Sequence, residues 1–301
     1  VRARRGWPAA WAVIAVAVMA TACDAAEETP MPSSGTGTVR VDGRQVTVHL
    51  PASYDPARPA PLVIGLHGYT SDPKELESYL LLAPESDKRG FIHVYPEGSA
   101  EDQGELFWNA TDACCDFSGA EPDDSRYLAE LIATLRDTYR IDPARVALIG
   151  HSNGGFMALR MACDHADLVT AVVSLNGAAW SDAARCRPSA PVSVLAIHSS
   201  DDETVSFGGG TIGSATYPSA AATVTQWRDH DSCTDGGRDA PALDVVTTLP
   251  GAETSVRTYT QGCAGGTTVQ AWTINGGTHV PDLGPAFAPA VTDFLLTRGR
   301  R

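Results

Sequence analysis

The sequence predicts one doubly wound α/β domain with a mostly parallel sheet, opened by an antiparallel hairpin. Three observations predict it. Short apolar runs of four to eight residues alternate with helical patterns along the chain without a break in composition. One such run, Val146-Ala147-Leu148-Ile149, leads through Gly150-His151-Ser152-Asn153-Gly154-Gly155 into the helical stretch Phe156 to Ala162. The third is Val39 to Leu50, two alternating segments around Asp42-Gly43, a strong hairpin signal. With 301 residues and 43% apolar composition, a packed core is well supplied.

The first 22 residues stand apart. Arg2, Arg4 and Arg5 precede an apolar run from Ala9 to Ala20 and a small-residue zone ending at Cys23, the layout of an export signal. The run is too short to favour a permanent membrane span. Ala20-Thr21-Ala22-Cys23 is similar to a bacterial lipobox with alanine in place of the usual leucine, which makes Cys23 a candidate for acylation and a membrane anchor, with plain secretion as the alternative. Residues 23–37, rich in Glu, Pro, Ser, Gly and Thr and without periodicity, read as a flexible tether. The catalytic domain is expected over residues 38–301.

After the hairpin and the Pro-rich stretch from Pro51 to Pro61, the apolar runs Leu62 to Leu66, Phe91 to Tyr95, Val146 to Ile149, Leu168 to Leu175, Val192 to Ile197 and Val269 to Ile274 are expected strands, buried on both faces of a parallel sheet. Tyr127, Leu128, Leu131, Ile132, Leu135 and Tyr139 follow a helical repeat that starts at Asp123-Asp124-Ser125 and is followed by Pro143. Further helices are expected near Glu75 to Lys88, Ser219 to Asp229 and Pro289 to Thr297. The connection from Glu97 to Asp123 has little pattern but holds two cysteines and several aromatics, as an ordered functional loop would.

Apart from Cys23, six cysteines remain in a chain expected to meet an oxidising compartment, so disulfides are the default. Cys163 with Cys186 and Cys233 with Cys263 would each join neighbouring parts of the chain, leaving the adjacent Cys114 and Cys115. A zinc site is the competing idea. No Cys-x-x-Cys pair or histidine cluster at metal-ligand spacing supports it, and neither metal nor cofactor is expected. A net charge of −14 argues against nucleic acid as a partner.

Gly-x-Ser-x-Gly between a strand and a helix is a nucleophile elbow: the serine takes a strained conformation at a sharp turn where neighbouring Cβ atoms would clash. Ser152 is the candidate nucleophile. Its hydroxyl needs a base, and the base needs an acid to hold its tautomer, in the chain order Ser, Asp or Glu, His. Beyond the next acidic turn lie only His230, at the end of a polar helical stretch, and His279, which follows a strand through Asn275-Gly276-Gly277-Thr278. His279 is the candidate base. Asp201, Asp202 and Glu203 after the Val192 strand offer the acid, and spacing alone does not choose among them. For the oxyanion, Asn153 supplies one backbone N–H, and the turn after Leu66-His67-Gly68 supplies the second from Tyr69, with Thr70 as alternative. His67 reads as a structural histidine of that turn.

These pieces together resemble the exported polyhydroxybutyrate-depolymerase and feruloyl-esterase family of α/β-hydrolases. The resemblance rests on Pro61 to Gly68, Trp108-Asn109-Ala110 with Cys114-Cys115, Asp123-Asp124, Gly150 to Gly155, and Gly276-Gly277-Thr278-His279, and covers about residues 38 to 298. It implies an α/β-hydrolase fold and an exported serine esterase acting through an acyl-enzyme. The family's acid turn, His-Gly-x-x-Asp-x-x-Val-Pro, aligns with His198 and Val205 and so prefers Asp202. Ser199 and Ser206 replace its glycine and proline, and the usual His-x-Trp-Pro becomes His279-Val280-Pro281, which removes an aromatic wall. Tyr69, Trp108, Trp180 and His151 are candidate pocket residues. Polyhydroxyalkanoate oligomers, feruloyl or acetyl esters of saccharides and other short esters are the implied substrates. The hydrolase segment reaches the end of the sequence, so soluble esters are expected rather than a solid polymer. A peptidase or acyltransferase on the same triad, and a non-catalytic surface lipoprotein using the fold for binding, are the competing functions.

Overall fold

A computed structural model describes residues 35–298, together with 1–3 and Gly6. The expected export signal, Cys23 and most of the tether therefore lie outside the described residues. Gly35–Gly37, placed in the tether by composition, begin the first strand instead. Among the described residues no helix is long and apolar enough to cross a membrane.

In chain order the elements are β1 (Gly35–Val41), β2 (Arg44–Leu50), β3 (Ala60–Leu66), α1 (Pro73–Leu80), α2 (Ala83–Arg89), β4 (Ile92–Val94), the short ribbon β5 (Ser99–Ala100) and β6 (Leu106–Phe107), α3 (Asp124–Thr138), β7 (Ile141–His151) and α4 (Asn153–Asp164). Then come β8 (Ala171–Leu175), β9 (Ser193–Ser199), the ribbon β10 (Gly210–Ile212) and β11 (Ala215–Tyr217), α5 (Ala220–His230), β12 (Arg238–Leu243), β13 (Thr254–Tyr259), β14 (Val269–Ile274) and α6 (Phe287–Thr297).

Ten strands form one sheet in the order 1-2-4-3-7-8-9-14-13-12. The six from β4 to β14 are mutually parallel, and the β1–β2 hairpin at one edge and β13–β12 at the other are antiparallel. The central strands alternate their side chains between two apolar layers. Leu62, Ile64 and Leu66 of β3, with Leu148 and Val172, pack under α3, α4 and α5, through Tyr127, Leu131, Phe156 and Trp227. Val63, Ile149 and Val173 point the other way, against Leu76 and Leu80 of α1 and Phe287, Val291 and Phe294 of α6.

Two expectations change. The segment Glu75 to Lys88 is two helices, because Leu81 takes a left-handed conformation (φ 52°) and Pro84 then starts α2. The edge strands β12 and β13 were not anticipated: Arg238–Leu243 is almost wholly exposed, so it carries no apolar signal. Helix α3 starts as expected, with the Asp123 carboxylate accepting the Arg126 N–H at 3.0 Å.

Strand order reverses between β3 and β7. The chain leaves β3 for β4 on one side and later returns through β7 on the other. The crevice beyond the carboxyl ends of these two strands is the switch point where open α/β sheets place their sites.

Candidate active site

β7 ends at His151 and α4 begins at Asn153, so Ser152 alone turns the chain, at φ 54° and ψ −122°. That strain persists because neighbours over-determine it. Ser152 N–H donates to Leu175 O on β8 (2.8 Å), and Ser152 O accepts the N–H of Gly155 (2.8 Å) and of Phe156 (3.1 Å). The flanking glycines are required sterically. A Cβ on Gly150 would lie 2.0 Å from Gly154 O, and one on Gly154 would lie 2.0 Å from Leu66 O.

Ser152 Oγ–H donates to His279 Nε2 at 2.8 Å, and His279 Nδ1–H donates to the Asp202 carboxylate at 2.9 Å to both oxygens. Asp202 sits in the turn after β9. Its side chain is buried, which opposes ionisation, but hydrogen bonds from His198, His279 and the Val205 N–H outweigh that penalty and hold the carboxyl well below its usual range. Asp201 instead accepts the Ser200 hydroxyl, and Glu203 accepts the His279 backbone N–H at 3.3 Å. Of the three carboxylates, Asp202 alone meets the imidazole.

The backbone of His279 is clamped by two donors. Asn176 Nδ2 (2.7 Å) and His151 Nε2–H (2.8 Å) both donate to its carbonyl oxygen. Asn176 is fully buried just past β8, with φ 53°, and its amide oxygen accepts Ser199 N–H (2.8 Å) at the end of β9. Nothing in its local sequence marks it, because its partners come from two distant turns.

Beyond β3, a Cβ on Gly68 would lie 3.5 Å from Ser152 Cβ, so this turn borders the hydroxyl. Thr70 N–H is committed to Leu106 O (2.9 Å). The N–H groups of Tyr69 and Asn153 have no acceptor among the described residues, leaving them free to donate to an oxyanion. His67 is structural as expected: Nδ1–H donates to Gly68 O (2.8 Å), Nε2 accepts Gly98 N–H (3.0 Å), and burial lowers its pKa. The arrangement can take a proton from a hydroxyl, stabilise the imidazolium that results, and offer N–H donors to a developing negative charge.

A model of the Esterase family, described as "Putative esterase", matches residues 41–253. NocK of Nocardia uniformis subsp. tsuyamanensis, named "Putative esterase NocK", is 30% identical over 259 residues, 80% of this chain and 72% of that protein. This chain belongs to the esterase family. Feruloyl esterase B of Piromyces equi is 26% identical over 84% of this chain, which spans 46% of that protein's length. Among solved structures, an acetyl xylan esterase from Aspergillus awamori superimposes with a TM-score of 0.61 at 16% identity, over 87% of this chain and 98% of that one, a likeness of fold. The protein is a carboxylic ester hydrolase with the α/β-hydrolase fold.

In this esterase two candidate pocket residues have other duties. Trp108 is 0% exposed, so its ring does not face a ligand. Its backbone N–H and C=O instead pair with the Asn153 side chain (2.7 and 2.8 Å), and its Nε1–H donates to His67 O (3.1 Å), tying the 97–123 loop to the elbow and to the β3 turn. His151 is buried against Tyr79 and holds the His279 backbone through its bond to the carbonyl oxygen. Burial lowers its pKa to about 4. Trp180 does line a cavity of about 420 Å³, with Thr111, Asp112, Ala113, Ser181 and Thr216, although Arg185 covers one face of its ring at 4.0 Å. Tyr69 stands at the surface of the 97–123 loop, edge-on to Phe117 and donating to Glu101 (3.2 Å).

The three cysteine pairs form as their positions suggested: Cys114–Cys115, Cys163–Cys186 and Cys233–Cys263. The buried Asp124 accepts Ser99 Oγ–H (2.8 Å) and Asn109 N–H (2.9 Å), which anchors the base of the long loop. His49, Glu77 and His93 come together on three separate elements, which spacing along the chain does not reveal.

Proposed function

We propose that this esterase is an exported serine hydrolase in which Ser152 is the nucleophile, His279 the general base and Asp202 the acid that orients it. The observation that carries this reading is the His279 ring, hydrogen-bonded at 2.8 Å to Ser152 Oγ and at 2.9 Å to Asp202. As Oγ attacks an ester carbonyl, its proton passes to His279 Nε2, and Tyr69 and Asn153 N–H donate to the oxyanion. Collapse expels the alcohol, which takes the proton from His279 and leaves an acyl-Ser152. Water, deprotonated by the same imidazole, then releases the acid.

The favoured substrates are soluble esters of feruloyl-type acids on saccharides, with acetyl esters and polyhydroxybutyrate oligomers as competitors. Two things support the choice: the similarity to Feruloyl esterase B, and the cavity beside Trp180, whose Ser181, Asp182 and Thr216 suit the hydroxyl groups of a sugar. Ala113 in its wall precedes Cys114, whose sulfur lies 3.5 Å from Asn153 Nδ2, which ties the cavity wall to the elbow. Three disulfides fit an oxidising compartment, and acylation at Cys23 after export belongs to the same reading.

The test is a turnover panel of feruloyl-saccharide, acetyl-saccharide and 3-hydroxybutyrate esters on wild type and Ser152→Ala, with fluorophosphonate labelling. Wild type should be labelled and prefer the feruloyl ester, and Ser152→Ala should lose on the order of 10⁴-fold or more in kcat with its fold intact. Undiminished turnover in Ser152→Ala overturns the mechanism, and a preference for 3-hydroxybutyrate overturns the substrate choice.

A further inference from the structure

On the side of the sheet where β2 meets β4, His49 and His93 are paired residues of adjacent antiparallel strands. Their rings stack with centroids 4.6 Å apart and planes 12° apart. Glu77 reaches over them from α1, its Oε1 3.8 Å from His49 Nε2. One donor atom from each of the three residues lies within 4.8 Å of the others.

The second observation is independent of that clustering. His93 is 3% exposed, yet among the described residues neither ring nitrogen has a hydrogen-bond partner. A buried imidazole with both nitrogens unmatched is costly, because one carries a hydrogen to donate and the other a lone pair to share. Neighbouring groups do not relieve it: Phe91 and Tyr95 meet the ring edge-on, and the buried Tyr95 hydroxyl is itself unpartnered. His49 and Glu77 are partly exposed, so the group is reachable from solvent.

We infer that His49, His93 and Glu77 form a binding site for a zinc-class divalent cation, with one nitrogen from each imidazole and a carboxylate oxygen as ligands and water completing the coordination. Two imidazoles and one carboxylate are a ligand set zinc accepts. Around a tetrahedral ion with bonds of about 2.0–2.1 Å, donor atoms stand about 3.3 Å apart, so the group, now within 4.8 Å, closes by at most about 1.5 Å. Rotation of the partly exposed Glu77 and His49 side chains supplies that movement. The ion joins the hairpin edge of the sheet to α1, whose Tyr79 packs on His151 and donates to Pro281 O at 3.0 Å. Its role is to brace the wall behind the base loop, not to take part in ester cleavage.

The experiment uses the full chain without a polyhistidine tag, dialysed against chelator and then titrated with Zn²⁺ alone by calorimetry and with Co²⁺ by visible absorption. One equivalent should bind, with a tetrahedral Co²⁺ spectrum and a melting temperature that rises with zinc concentration. His93→Gln, and separately the more exposed His49→Gln and Glu77→Gln, should each weaken binding by at least about tenfold, since each removes one of only three protein ligands. Circular dichroism identifies any variant that fails to fold, and the two exposed positions keep the test open if His93→Gln does. No stoichiometric binding, or unchanged affinity in folded His49→Gln and Glu77→Gln, overturns the inference. So does binding that disappears only in His279→Gln, which would place the ion at the ester-cleaving site.

Discussion

The turn from Gly150 to Gly155 and the connection from Glu97 to Asp123 meet at the Asn153 side chain, but they are held in different ways. In the turn the backbone does the fixing. Ser152 is strained, Leu175 and Phe156 bind its main chain, and the space a Cβ would need at Gly150 and Gly154 is filled by carbonyl oxygens. In the long connection most fixing comes from side chains: Asn153 binds the Trp108 backbone, Asp124 binds Asn109 and Ser99, and the tip presents Phe117, 52% exposed, beside Tyr69. The difference separates chemistry from selectivity. A turn with no steric slack can place an oxygen atom to a fraction of an ångström, while a loop pinned at its base can change its tip without moving that atom.

The comparison breaks first at Gly154. In Gly154→Ala the new methyl meets Leu66 O and C and His67 O, all main-chain atoms of β3 and its turn. The expected outcome is destabilisation by about 3 kcal/mol or more in denaturant unfolding, with esterase activity lost. A stable, active Gly154→Ala would mean that the turn has slack after all.

Acid should act next, through His151. Its folded pKa of about 4 lies below the ordinary 6.5, because burial disfavours the charged ring more than the hydrogen bond to the His279 carbonyl favours it. Stability from that neutral state is fully present above pH 6.5. It is lost as the pH falls toward 4, since the unfolded chain binds the proton first. Wild type should therefore lose about 3 kcal/mol relative to His151→Gln between those limits, measured by urea unfolding at each pH. Parallel pH curves for the two proteins would mean that burial does not hold the His151 ring neutral.

The smallest effect is expected at the loop tip. Phe117→Ala should leave unfolding within about 0.5 kcal/mol of wild type. It should raise KM for aromatic-acid esters by a few-fold while leaving kcat and acetyl-ester turnover unchanged. A fall in kcat for both substrates would show that the tip is mechanically coupled to the elbow.

The same division explains what could be read from the chain. The parallel strands were legible because burial on both faces writes continuous apolar runs such as Leu62 to Leu66 and Val192 to Ile197. The strand-to-helix turn at Ser152 and the turn before His279 were legible because both carry local glycine chemistry. Asp202 needed a family pattern, since three adjacent carboxylates look alike until Nδ1 of His279 selects one. Asn176 and the His49–Glu77–His93 group were not legible, because their meaning comes from contacts across 23 to 103 residues in the first case and across three elements in the second. Trp108 was misread for a related reason: an aromatic in an irregular loop suggests a surface, but the loop folds its ring inward beneath Asn153. The exposed edge strand β12 lacks any burial pattern to read.

Both lone pairs of the His279 carbonyl are occupied, one by Asn176 and one by His151. The base is thus anchored upstream of its own ring, and the chain that leaves it at Val280 carries no responsibility for where the imidazole stands. Insertions, deletions or exchanged aromatics after His279 can accumulate without cost to the proton relay. The missing tryptophan of His279-Val280-Pro281 is one such change already made. New ester specificities would therefore be sought by grafting residues 280–284 while leaving the two donors to the His279 carbonyl in place.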